Sequence, residues 1–405
     1  MLVFVLNKNG KPLMPCSPRK ARILLKEGKA KAVKRTPFTV QLKYGSSGFK
    51  QPITLGVDSG FTYIGLSAGT EKQEVYASEL QLRSDIVKLN SERKQYRRSR
   101  RNRKTWYRKP RFLNRGNKSK GWLAPSIQHK LDSHIKAIGQ AKSILPISKV
   151  IIEVGAFDIQ KIKNPEIKGM EYQQGEQLGF WNVREYVLCR DGHTCQLCKG
   201  KSKDSVLNVH HVESRKTGGD RPENLITLCK SCHQRYHNGK IKLTIKKSKG
   251  FKAETFMTMV RWRLINQLDA LYTYGYITKH KRIKLGLPKS HINDAYVIAN
   301  GNSQNRSNTY YKQKQVRKCN RKLFKGIRSH IKNTAPRIIK GFQRFDKVLW
   351  NGIECFIFGR RQTGYFALRK IDGAVIHNSA KSKDCVLLES ARTLLIERSA
   401  AFLPS

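Results

Sequence analysis

Two Cys-x-x-Cys pairs, Cys195/Cys198 and Cys229/Cys232, bracket the adjacent pair His210-His211, and the pair His233/His237 follows the second knuckle at once. Four thiolates at this spacing suffice for a tetrahedral zinc site, which then has no position left for water. The zinc is therefore expected to be structural, tying off a loop longer than that of a minimal ribbon. The stretch around Val209 reads as a strand, so His210 and His211 point to opposite faces. One imidazole can then ligate a metal while its neighbour polarises water. His233 and His237, four apart on a helix expected from about Ser231, can face one cation. Asn224 can hold a general-base histidine in one tautomer through its side-chain carbonyl. A zinc-finger binding module with incidental histidines is the plainer alternative. The adjacent histidines, with Gly218-Gly219-Asp220 and Asn224-Leu225, argue against it.

Charge narrows the partner. The 405 residues carry 81 Lys+Arg against 28 Asp+Glu, a formal charge of +53. An excess of that size calls for a polyanion, and nucleic acid is the expected one. The length implies two to four domains, and 39% hydrophobic residues is enough to pack their cores. The nine cysteines are an odd number, and five of them (Cys16, Cys189, Cys319, Cys355 and Cys385) are scattered, which fits a reducing compartment. Met1–Leu6 is too short for a signal peptide and no long apolar run follows, so a cytoplasmic protein is expected.

Carboxylates are scarce enough to be conspicuous. Ile53–Gly60 is an apolar strand with Asp58 at its end. Such an aspartate is either a metal ligand or a turn residue before Ser-Gly, and the strand alone leaves both open. Lys149–Gly155 is a second buried strand, with Glu153 at its end. Ser290–Ala299 opens a helix whose His291 and Asp294 share a face. Carboxylates from distinct elements of one sheet are what a two-metal phosphodiesterase needs; structural acids at strand ends are the alternative.

Between the first two acids lies a run with no acid from Glu92 to Asp132, in which Arg97, Arg98, Arg100, Arg101, Arg103 and Lys104 crowd an uninterrupted helical stretch. A helix gripping phosphates is the expectation. The first fifty residues predict a strand over Leu2–Leu6, a hairpin turn at Asn9-Gly10, a short basic helix from Pro18 and a closing strand at Thr39–Leu42. Helical periodicity runs over Glu254–Leu271, and Tyr274-Gly275-Tyr276 reads as a turn. From Lys347 onward, short alternating strands predict a small antiparallel barrel or curled sheet.

The order of the histidines resembles the HNH (ββα-metal) nuclease family. That resemblance implies His211 as general base, Asn224 as its orienter, and His210 and His233 as ligands of one Mg2+; His237 is a third ligand in those members that use both helix histidines, and others do not use it. Val-Asp58-Ser-Gly, Ile-Ile-Glu153 and His291-x-x-Asp294-Ala resemble the three split motifs of a RuvC (RNase H-like) nuclease. In that family the carboxylates hold two Mg2+ and His291 helps activate water. A RuvC nuclease split by an HNH insert, an Arg-rich bridge helix and Pro12-Leu13-Met14-Pro15 near the start together resemble IscB, a family of transposon-encoded RNA-guided nucleases. The resemblance covers Met1 to about Asn300 by motif and the remainder by position.

It implies an α/β multidomain chain. Residues 1–50 would be a small α+β domain, 51–82, 123–168 and 253–300 the RuvC parts, and 83–122 the bridge helix. Residues 169–252 would be linkers and the HNH domain, and 301–405 a β-rich domain meeting guide RNA and a short motif beside the target. Arg360, Arg361 and Gln362 suit base edges by chemistry, although phosphate contacts suit an Arg-Arg turn equally. The implied activity is RNA-guided cleavage of double-stranded DNA by a monomeric ribonucleoprotein in a prokaryotic cytoplasm, acting at the nucleoid, without a membrane partner. The competing readings are an unguided HNH homing-type endonuclease and a non-catalytic RNA-binding transposon accessory protein.

Overall fold

The computed structural model describes residues 2–46, 48–102, 121–155, 166, 177, 179–180, 182–213, 220–241, 252–317 and 336–400. Two compact units emerge: Met1–Ala156 with Phe256–Ser405, and Phe157–Thr255.

In the first unit, β1 (Val3–Leu6), β2 (Pro12–Cys16), α1 (Pro18–Lys26), β3 (Ala30–Lys34) and β4 (Thr39–Leu42) form a small α+β layer with strand order β2-β1-β4-β3. Asn7 Oδ1 accepts from Asn9 N and Lys11 N, and so builds the expected hairpin turn. Ser17 caps the helix by accepting from Lys20 N. Alternation along β1 sends Val3 and Val5 into this layer's core and Phe4 into the neighbouring one.

The central sheet begins with β5 (Thr54–Ser59), β6 (Tyr63–Gly69) and β7 (Glu74–Gln81), an antiparallel meander. The sequence reading places no strand over β7, because Glu74 breaks the apolar pattern. Glu74 is buried there and satisfied by Arg306 Nε at 2.8 Å and Ser67 Oγ at 2.6 Å. Next come α2 (Ile86–Asn102), α3 (Pro125–Lys142) and β8 (Lys149–Val154), which pairs parallel to β5. Helix α3 starts six residues before the expected Leu131, with Pro125 in its first turn, where a missing N–H costs nothing. Arg97 and Arg98 are exposed on α2. Arg100 and Arg101 continue its backbone, and Arg103 and Lys104 lie outside the described residues.

The second unit holds α4 (Val183–Arg190), the antiparallel pair β9 (Leu207–His211) and β10 (Leu225–Cys229), and α5 (Lys230–His237). Among the described residues its core is small: Ile226 and Leu228 packed with Cys195, Cys229 and Cys232. A cluster of that size gives little hydrophobic stabilisation, so a metal clip has a clear purpose.

The chain then returns to the first unit with α6 (Lys252–Leu268), β11 (Leu271–Tyr274), α7 (Gly275–Lys284), α8 (His291–Ile298) and β12 (Thr309–Gln315). Helix α6 stops before Leu271, because Asp269 turns the chain at φ 47°. Leu271–Tyr274 is a strand and Gly275 opens a helix, so the expected turn at Tyr274–Tyr276 is instead a direct strand-to-helix junction. Five strands follow: β13 (Lys347–Trp350), β14 (Ile353–Arg360), β15 (Tyr365–Arg369), β16 (Val375–Lys381) and β17 (Cys385–Glu389). They form an antiparallel sheet of order β16-β15-β14-β13-β17, over a core of Val348, Ile357, Phe366 and Leu368. The final strand, β18 (Leu394–Ala400), leaves that sheet and pairs with β12. The central sheet thus has seven strands in the order β11-β8-β5-β6-β7-β12-β18, and β12 and β18 join it from the segment 301–405. Its core of Ile53, Leu55, Val57, Ile64, Leu66 and Ile152 is almost wholly buried. Each such side chain is worth roughly 1.5–3 kcal/mol of transfer free energy. Among the described residues, no helix is long and apolar enough to cross a membrane.

Candidate nuclease centres

Glycines position the carboxylate site. Gly56 and Gly65 stand on the same face of the sheet as Asp58, since Asp58 pairs with Gly65 across β5 and β6 and Gly56 is two residues earlier. Helix α8 lies directly on them. A Cβ on Gly56 would collide with Ala295 O and one on Gly65 with His291 O. Only a bare strand surface lets the helix come this close, and its approach delivers His291 and Asp294 to the end of β5. His291 Nδ1 lies 2.6 Å from Asp58 Oδ2, and its ring stacks on Tyr63 with centroids 5.4 Å apart.

Glu153 comes from β8, the parallel neighbour of β5. Burial pushes its carboxyl up to about 7, against a hydrogen bond from Thr278, and the charges of Asp58 and Asp294 push the same way. Asp294 is likewise raised, by burial first and then by Asp58. His291 is raised, chiefly by its hydrogen bond to Asp58. The three acids are thus electrostatically one group. Their oxygens do not all lie within 4.8 Å of one another, unlike the thiol and imidazole clusters of the second unit. Arg282 Nε holds Asp294 Oδ1 at 2.7 Å, while His291 holds Asp58.

Behind Asp58, His134 is buried with Nδ1 2.8 Å from Lys130 O, and burial lowers it to about 4, so it is neutral at pH 7. The Lys130 ammonium sits 3.2 Å over the Phe61 ring and bonds Phe61 O. Sequence reasoning missed Arg282, Lys130 and His134. A cation draws no notice in so basic a chain, and the only signal was the i, i+4 spacing of Lys130 and His134 on one helix.

In the second unit, the sulfurs of Cys195, Cys198, Cys229 and Cys232 lie within 4.8 Å of one another. Cys198 Sγ and Cys229 Sγ are 3.9 Å apart; sulfurs at the corners of a zinc tetrahedron with 2.3 Å bonds would be about 3.8 Å apart. The Ser202 hydroxyl holds Cys198 down to about 6, whereas burial and the neighbouring sulfurs push Cys232 up. The donors and their spacing fit zinc.

The imidazoles of His210, His233 and His237 form a second cluster within the same limit. His233 Nε2 and His237 Nε2 are 3.2 Å apart, and His210 Nε2 is buried without a hydrogen-bond partner. Burial first, then the neighbouring imidazoles, lowers His210 to about 4, and burial and His237 lower His233. These two therefore keep their lone pairs at pH 7. Neutral imidazoles suit zinc and other first-row transition ions, whereas magnesium favours oxygen donors.

His211 points the other way, with Nε2 2.9 Å from Asp220 Oδ1. Asn224 is two-handed: Oδ1 accepts from Glu213 N at 2.8 Å and Nδ2 donates to Glu213 O at 3.0 Å. Its carboxamide fixes the chain two residues past His211, and the ring of His211 is met by Asp220. In the last sheet, Arg360 Nη1 donates to Arg337 O and Phe342 O, at 2.5 and 2.7 Å, and Arg361 Nη1 to Ser379 Oγ at 3.0 Å.

A hairpin carrying a buried histidine, a helix supplying two more and a thiol clip beside them define a metal-binding endonuclease domain. Residues 195–239 match the HNH endonuclease family, and residues 3–175 match the RRXRR protein family. The chain is also 34% identical over 64 residues to Anaredoxin of Nostoc sp. (strain PCC 7120 / SAG 25.82 / UTEX 2576), a match spanning 16% of this chain and 82% of that protein, and over that length it belongs to the same family. The chain carries an HNH endonuclease domain, which supports a DNA endonuclease, and its two domain matches together support an IscB-like protein.

Proposed function

We propose that this chain is an RNA-guided endonuclease for double-stranded DNA, in which the HNH centre cuts the guide-paired strand and a split RuvC (RNase H-like) centre at Asp58 cuts the displaced strand. The observation that carries the reading is the meeting of Asp58 on β5, Glu153 on β8, and His291 and Asp294 on α8 around one sheet end. That is a second constellation of nuclease type, in a unit separate from the HNH histidines. Two strands to cut give a reason for two centres.

At the HNH centre, His211 donates its Nε2 proton to Asp220, which leaves the Nδ1 lone pair to take the proton from an attacking water. His210, His233 and His237 would hold the cation, and Asn224 keeps the loop after His211 in place. At the carboxylate centre, Asp58, Glu153 and Asp294 would hold Mg2+, and Glu153, raised first by burial and then by Asp58 and Asp294, is a carboxyl whose ionised form a divalent ion would stabilise. Bound metal would supply Lewis-acid stabilisation of the phosphate and a water of lowered pKa. His291 is placed to hold or release a proton beside Asp58. The exposed Arg97 and Arg98 on α2 support a phosphate-gripping role toward guide RNA, and +53 exceeds what a short duplex contact requires.

The test is cleavage of duplex DNA with and without co-purified RNA, comparing Asp58→Ala with His211→Ala. Each variant should nick one strand, a different one in each case. RNA-independent double-strand cutting would overturn guidance, and unchanged cutting in either variant would overturn that centre.

A further inference from the structure

The described surface carries an aromatic row that the two centres leave unused. Trp262 on α6, Tyr272 and Tyr274 on β11 and Tyr276 at the start of α7 succeed one another with ring centroids 5.4, 5.7 and 6.1 Å apart. Trp262, Tyr272 and Tyr276 are 45%, 48% and 73% exposed. Large rings left in water at a sheet edge are unfavourable in a free protein and mark a surface that is covered in use.

The row has a direction. Strand β11 is the edge of the central sheet, and Thr273 pairs with Glu153 on β8. Gly275, between the last two tyrosines, passes so close to the catalytic side that a Cβ there would stand 3.1 Å from Glu153 Oε1. Thr273 shares a face of the sheet with Glu153, so Tyr272 and Tyr274 stand on the other face, and the row reaches the side of the Asp58 centre only where β11 passes through Gly275 into α7 and Tyr276.

The charge around it selects the occupant. Arg261 lies 5.5 Å from the Trp262 ring, and Lys279, Lys281 and Lys284 follow Tyr276 on α7. Aromatic faces with interspersed cations suit a strand whose bases are unpaired, since each base offers a π-face and each linkage a negative charge. Bases in a duplex are already stacked and offer no such face.

We infer that Trp262, Tyr272 and Tyr276 form a stacking track that holds single-stranded DNA and leads it to the Asp58–Glu153–Asp294 centre. These are positioning residues: they hold bases while the carboxylates act on the phosphate. The inference rests on the proposed carboxylate centre for where the strand goes, but not for whether the rings bind it.

The experiment separates the two. The ribonucleoprotein carrying Asp58→Ala is titrated with fluorescent oligothymidine, alone and with Trp262→Ala, Tyr272→Ala or Tyr276→Ala added. Each added alanine should weaken binding by about 5- to 100-fold, and Tyr272→Phe and Tyr276→Phe should restore it. In the otherwise unaltered ribonucleoprotein, the alanine variants should slow displaced-strand cleavage and leave guide-paired-strand cleavage unchanged. Unaltered oligothymidine affinity in all three alanine variants would overturn the track, as would photocrosslinks from these rings to the RNA instead of the DNA. If Asp58→Ala leaves displaced-strand cleavage intact, the carboxylate centre fails while the binding titration still decides the track.

Discussion

His291 Nδ1 and Asp58 Oδ2 stand 2.6 Å apart although 233 residues separate them in sequence. The contact ties α8 to the end of β5 and raises the imidazole above its ordinary value. A histidine raised in the folded state stabilises the fold below its unfolded pKa of about 6.5, and that stabilisation is lost as pH rises through the raised folded value. In metal-free protein, His291→Gln should therefore lower the melting temperature more at pH 6 than at pH 9. Equal losses at both pH values would show that the pair is not charged. Displaced-strand cleavage should fall about 100-fold or more if His291 moves a proton in that reaction.

Glu153 works in the opposite sense. Its carboxyl is raised to about 7 by burial and by two neighbouring acids, so it costs stability when ionised. The cost appears as pH rises from about 4.5 to 7 and is present in full above that window. A shift of this size corresponds to a cost on the order of 3 kcal/mol. Metal-free Glu153→Gln should melt higher than the parent at pH 8 and equally at pH 4.5, while losing displaced-strand cleavage. A lower melting temperature at pH 8 would contradict the assigned burial.

Gly65 has no spare room. A methyl there meets the carbonyl of His291, and helix backbone cannot rotate away as a side chain would. Gly65→Ala should lift α8 from the sheet at a cost of about 1–3 kcal/mol or more. Displaced-strand cleavage should be lost while nicking of the guide-paired strand survives. Circular dichroism and strand-resolved cleavage read the two effects, and full activity in both strands would refute the close approach.

Legibility in the sequence followed chemical rarity. Asp58, Glu153 and Asp294 stood out because acids are few in this chain, and the cysteines and histidines because their spacing has few other uses. Their convergence was expected only from the resemblance to split RuvC motifs, and how it is built was not legible, since it depends on Gly56 and Gly65, which in a strand read only as weak points. Arg282, at 2.7 Å from Asp294, was hidden among other cations. Strand β7 was hidden because Glu74 is paid for by Arg306, which lies 232 residues away. The role given to Asn224 illustrates the same limit: spacing suggested a histidine partner, whereas the fold turns the carboxamide onto Glu213. Tyr274 and Tyr276 looked like turn punctuation because the Gly between them masks a strand-to-helix junction.

The two metal clusters of the second unit should separate by chemistry. The Cys195–Cys198–Cys229–Cys232 set has no position left for water once a zinc ion is held, so its metal serves the fold. Cys229→Ser should lower zinc content by one ion per chain and unfold the HNH unit, whose described residues form a small apolar core. The histidine set should behave differently. In an Asp58→Ala background, His233→Ala should abolish the remaining nick yet leave the melting transition of the HNH unit nearly unchanged. Because its donors are imidazoles, that nick should be supported by Mn2+ or Ni2+ at lower concentration than by Mg2+, whereas displaced-strand cleavage in a His211→Ala background should favour Mg2+ or Mn2+. Elemental analysis with strand-resolved cleavage under each ion checks the separation. An identical ion preference for both nicks would mean that donor type does not set the metal at the two centres.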